Sequence, residues 1–67
     1  MSLFDTYYDK PLLGISVFSM EQVLIIGEKE IEVDGKQLEQ YLYHIIGRPA
    51  ANGKPFAALK ANIKIVS

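Results

Sequence analysis

The chain has 67 residues, 7 Lys and Arg against 8 Asp and Glu, one histidine and no cysteine. Without cysteine there are no disulfides and no thiolate metal sites, and one histidine is too few for a structural zinc. A chain this short buries only about 60% of the surface its unfolded form exposes, so its core is thin and a partner chain is the staple left to it.

Residues 1–11 read as an N-terminal arm. Phe4, Tyr7 and Tyr8 are apolar, but Asp5, Asp9 and Pro11 interrupt any regular element. The arm lacks the basic start and apolar centre of a signal peptide, and no apolar run reaches the ~20 residues of a membrane helix, so a soluble, cytoplasmic protein is expected.

"LLGISVF" (12–18) is rich in β-branched and aromatic residues and fits a strand. Residues 19–26 allow two readings. Ser19 with Gln22 matches a capping box, whereas Val23, Ile25 and Ile26 are stiff at χ1 and the run ends at Gly27, which favours a strand. "GEK" then predicts a tight turn into "EIEV", where Ile31 and Val33 face one way and the glutamates the other.

Asp34 is placed to cap a helix over about 36–47. Leu38, Tyr41, Leu42, Ile45 and Ile46 fall at i, i+3, i+4, i+7 and i+8, one helical face, and Gly47 and Pro49 end it. "PAANGKP" is a loop, and "PFAALKAN" allows a second short helix over about 55–61. "NIKIVS" alternates and closes the chain as a strand. The fold expected is α+β: one domain over 1–67, three to four short, mostly antiparallel strands and one amphipathic helix packed on the sheet.

The acidic run meets part of a calcium-loop pattern. Counted from Glu30, oxygen ligands fall at positions 1, 3 and 5 and Gly35 at position 6, but position 12 is Tyr41 where a bidentate Glu is required. The cage does not close, and a solvated strand face, or a ladder paired with Lys60 and Lys64, is the expectation. His44 lies off the apolar face of the expected helix, with no second group for acid–base work, and Ser16, Ser19 and Ser67 sit in no nucleophile motif. No phosphate-binding glycine pattern occurs. No catalytic residue, metal, cofactor or small-molecule substrate is therefore expected.

Two features point to macromolecular partners. Aromatic residues exceed what so small a core can hold, and tyrosines are enriched at interface centres. Phe4, Tyr7 and Tyr8 on the arm with Tyr43 and His44 on the helix flank form the expected interface, and an exposed strand edge adds backbone pairing. Charge is also lopsided: seven of the eight acids lie in residues 1–35, while Lys36, Arg48, Lys54, Lys60 and Lys64 face Glu39 alone in residues 36–67. The function expected is a non-enzymatic interaction, assembly or regulatory module that self-associates or binds a protein partner. The alternative is a nucleic-acid-binding regulator that uses Arg48, Lys54, Lys60 and Lys64 on one unpaired face.

Overall fold

The computed structural model describes residues 2–48 and 52–66, with side chains from Asp5 onward. Five antiparallel strands form one sheet: β1 (Ser2–Ser16), β2 (Gln22–Val33), β3 (Lys36–Ile45), β4 (Phe56–Leu59) and β5 (Ile63–Ile65). Their order across the sheet is β4-β3-β2-β1-β5. The only helical element among the described residues is the 3-10 turn Lys60–Asn62. The fold is thus nearly all β, and the α+β expectation is corrected: residues 36–45 are a strand, not a helix, and 55–61 are mostly β4. No helix among the described residues is long and apolar enough to cross a membrane.

The helix expected over 36–47 fails for a physical reason. Asp34 (φ 51°) and Gly35 (φ 77°) both take left-handed backbone, and Val33 pairs directly with Lys36 across them. That is the two-residue turn whose twist matches a β-hairpin, and Asp-Gly is a favoured sequence for it. The pair closes a hairpin instead of capping a helix. The turn expected at Gly27–Lys29 is absent as well; β2 continues through it without a break.

Strand order forces the sheet to curl. β4 and β5 lie at opposite edges, which in a flat sheet would be ~19 Å apart at ~4.8 Å per strand. Yet Leu59 and Ile63 are separated only by the 3-10 turn, four Cα steps that reach at most ~14 Å. The edges must approach each other, and the result is a curled half-barrel.

The bend is centred on Ile26 and Gly27. On one side β1 advances from Tyr7 to Leu12 while β2 moves only from Gly27 to Ile25, leaving Tyr8–Pro11 as a bulge. On the other side Ile26 is an extra residue relative to β3. Bulges of this kind raise local twist and bend the strand. Gly27 is required there, because a Cβ would overlap the Thr6 carbonyl oxygen.

Val23 and Ile25 are fully buried on the concave face and pack with Ile63. Tyr8, Leu12, Tyr41, Tyr43, Ile45 and Ala58 close around them, and Tyr43 meets Phe56 with ring centroids 5.7 Å apart. What was expected as an arm is therefore the first part of β1, which supplies Tyr8 to the core.

Candidate protein-association surface

Alternation along β2 and β3 gives the sheet a second apolar face. Leu24 lies between the buried Val23 and Ile25, so it points to the convex side, where it is 37% exposed. Its cross-strand partners are Leu13 on β1 and His44 on β3, and directly paired residues share a face. The Val66 N–H donates to the Leu13 carbonyl at 2.8 Å, and the Ile46 N–H donates to the Gln22 carbonyl at 3.1 Å. Val66 and Ile46 are half exposed, so a band runs from Val66, just after β5, across β1, β2 and β3 to Ile46 in the turn after β3. Leu42 also points to this side, between the core-facing Tyr41 and Tyr43, but it is buried there beside Gly27 and Ala57 and adds nothing to the exposed surface.

The β1–β2 turn carries further exposed apolar side chains. Phe18 is 80% and Met20 72% exposed, on a tip fixed by hydrogen bonds from the Met20 N–H to the Ser16 carbonyl (2.8 Å) and from the Val17 N–H to the Asn62 carbonyl (3.0 Å).

A polar cluster occupies the concave face beyond the core. The Tyr8 hydroxyl donates to Glu28 Oε2 at 2.5 Å, and Lys60 Nζ lies 3.4 Å from Glu28 and 3.9 Å from Glu39. The same ammonium stands 5.3 Å from the Tyr41 ring centroid. Burial, then the Glu28 hydrogen bond, pushes the Tyr8 phenol well above its ordinary value. The Tyr8 hydrogen bond lowers Glu28, against the opposing effect of burial and with help from Lys60. A phenol that holds its proton and a carboxylate that holds its charge are poor proton exchangers near neutral pH. The cluster ties β1, β2 and the 3-10 turn together. No group of three or more His, Asp and Glu able to hold a metal occurs among the described residues.

The interface residues expected from sequence separate. Tyr7 (60% exposed) pairs with Gly27 on the convex face, and His44 sits in the convex band opposite Leu24. Tyr8 and Tyr43 face the concave side and pack on the core. The Phe4 side chain lies outside the described residues, although its backbone pairs with Glu30. Tyr43 and His44 are thus not one helix flank but opposite faces of β3.

The four basic residues separate too. Arg48 Nη2 pairs with Glu21 Oε1 at 2.9 Å, and Lys60 is held by Glu28 and Glu39. Lys64 pairs across from Ile15 on the convex side, and Lys54 lies in the β3–β4 connection. That connection is described from Asn52 onward; Pro49, Ala50 and Ala51 lie outside the described residues.

Sequence reading missed the convex band, and a signal for it was present. "QVLIIG" and "PLLGI" carry consecutive apolar residues, not an apolar–polar alternation. A strand that is apolar at both parities has both faces to cover. Compared with known proteins, the chain matches no family model, no curated protein and no solved structure.

Proposed function

We propose that this chain is a non-enzymatic protein-association module whose convex band docks on an apolar protein surface, in a cytoplasmic setting. The observation that carries the reading is the distribution of large apolar side chains. Among the described residues four are buried, Val23, Ile25, Leu42 and Ile63, while eleven large ones are exposed. Scattered exposed apolar residues are ordinary, but a contiguous patch marks a contact surface. Leu24, Ile46 and Val66 are contiguous through the register of Leu13, Leu24 and His44. Association covers that band and adds the burial that so small a core lacks. The absence of cysteine suits a reducing compartment.

The test is site-specific photocrosslinking in expressing cells, with the reactive group placed in turn at Leu24, Ile46 and Val66. The expected result is a discrete protein adduct from these positions and none from the exposed polar position Gln37. Folded protein that yields no protein adduct from any of the three overturns the reading.

A further inference from the structure

The chain has two asparagines, and the fold sets them in opposite circumstances. Asn52 is followed by Gly53 and Lys54 in the β3–β4 connection, and all three are exposed. The Lys54 N–H donates to Asn52 Oδ1 at 3.0 Å. A bond from a side-chain oxygen to the N–H two residues on folds the side chain back along its own backbone. The Asn52 carboxamide carbon is thereby carried toward the peptide nitrogen in between, that of Gly53. Gly53 has a φ of 73°, and a Cβ built on it would meet nothing within 4 Å, so the approach is open.

Asn62 has none of this. The next residue, Ile63, is buried and β-branched, and its N–H is donated to the Lys60 carbonyl. A nitrogen held in that bond, on a packed side chain, is not free to turn toward the Asn62 carboxamide.

We infer that Asn52 is a self-modification site: the Gly53 nitrogen attacks the Asn52 carboxamide, the folded turn promotes that attack, and the amide becomes a carboxylate without an enzyme. Water is the only co-reactant. Hydroxide takes the Gly53 N–H proton, the nitrogen pair forms a bond to Asn52 Cγ, and the carbonyl pair moves onto Oδ1. The Lys54 N–H already stands on that oxygen, so it stabilises the oxyanion as it forms, as a fixed donor does at any tetrahedral centre. Collapse restores the carbonyl and breaks the bond to Nδ2, which takes a proton from water and leaves as ammonia. The product is a five-membered succinimide, and the hydroxide is regenerated.

A water then opens the ring at either carbonyl, and the nitrogen recovers its proton. Breaking the bond from nitrogen to Cγ gives aspartate at position 52. Breaking the bond to the backbone carbonyl carbon gives isoaspartate, which adds one carbon to the main chain between β3 and β4. Either way one new carboxylate takes the formal net charge from −1 to −2. It arises two residues from Lys54, which carries no ion pair among the described residues. This chemistry is independent of the convex band, so the association reading neither supports it nor falls with it.

The test is mass spectrometry of the full chain held at neutral pH, with the amide-to-acid mass gain located by peptide fragmentation. In the folded chain, gain at Asn52 is expected at least about tenfold faster than at Asn62. The folded chain should also convert Asn52 about fivefold faster than the same chain unfolded in urea, the worth of one net hydrogen bond to the oxyanion. Gly53→Ala crowds the nitrogen and disfavours the positive φ, and should slow the gain at least about tenfold. Asn52 conversion no faster than that of Asn62 overturns the proposal. So does a rate in urea equal to or above the folded rate, because the turn then gives the attack no help, and so does a Gly53→Ala chain that converts as fast as the wild type.

Discussion

Tyr8 and Glu28, 20 residues apart in sequence, are joined by a 2.5 Å hydrogen bond that locks the β1 bulge onto β2. Tyr8 opens the stretch, Tyr8–Pro11, that has no ladder partner on β2, so this side-chain contact replaces backbone pairing lost at the bend. Lys60 approaches Glu28 from the other side, which brings the 3-10 turn into the same tie.

Tyr8→Phe removes that tie and is expected to cost about 1.5–3 kcal/mol, the range for a hydrogen bond to a charged acceptor. Its pH signature separates it from a simple packing loss. Glu28 is depressed below its ordinary 4.5, so its contribution is present above that value and is lost as pH falls through the lower folded value. Tyr8 is raised above its ordinary 10.0, so its contribution is present below pH 10 and declines as pH climbs beyond it. Urea midpoints of the wild type should fall at both ends. In Tyr8→Phe the contribution of this phenol to the alkaline fall disappears, and the acid fall shrinks to what Lys60 sustains.

Gly27→Ala should be the most damaging methyl in the chain. The new carbon would overlap the Thr6 carbonyl oxygen and lie 3.1 Å from the Tyr7 Cα, and neither backbone atom can give way without breaking the β1–β2 ladder. A loss of about 3 kcal/mol or more is expected, which a small domain of ~5 kcal/mol barely survives. Gly35→Ala meets nothing within 4 Å and strains only the φ of +77°. It should cost about 1 kcal/mol. Circular dichroism and urea titration of the two variants check the contrast.

Residues 36–46 show how far the sequence was legible. Leu38, Tyr41, Leu42, Ile45 and Ile46 satisfy a helical period, yet they divide between the two faces of β3 and its end, with Tyr41 and Ile45 concave and Leu42 convex. When both faces of a strand are half apolar, alternation is blurred and a 3.6-residue period fits by accident. Two local signals pointed the other way: Asp34-Gly35 between two alternating runs, and the aromatic and β-branched content of "YLYHII". The strands over 12–16, 22–26, 31–33 and 63–65 were readable because their residues fit a pleated surface whatever covers them. The polar tie of Tyr8, Glu28 and Lys60 was not, since it depends on a curl set by strand order. Of the expected interface, His44 falls in the convex band and Tyr7 on the same face, while Tyr8 and Tyr43 serve the core.

Val23 and Leu24 test the two-faced reading directly. Val23 is completely buried and Leu24 is 37% exposed, although they are neighbours. Val23→Ala should cost about 2 kcal/mol through lost burial and an unfilled cavity. Leu24→Ala should cost less than about 1 kcal/mol in the isolated chain, because its methyls are already partly in water. In the association assay the order reverses, and Leu24→Ala loses more binding than its stability loss explains. Equal costs in urea would mean that β2 does not present opposite faces at these two positions.

Charge pairing sets the expectation for nucleic acid. Of Arg48, Lys54, Lys60 and Lys64, the first and third are held by Glu21, Glu28 and Glu39. Lys54 and Lys64, which carry no ion pair among the described residues, offer two phosphate contacts at most. Each contact adds about 0.9 to the slope of log affinity on log salt, so two leave weak binding that physiological salt removes. A labelled duplex titrated at low and moderate salt should show no saturable anisotropy change. Glu21→Gln then supplies the control, because it frees Arg48 and should steepen whatever low-salt slope exists by about one contact. Saturable wild-type binding that is insensitive to Glu21→Gln would mean that cations outside these ion pairs form a basic face, and the nucleic-acid reading would displace association with protein.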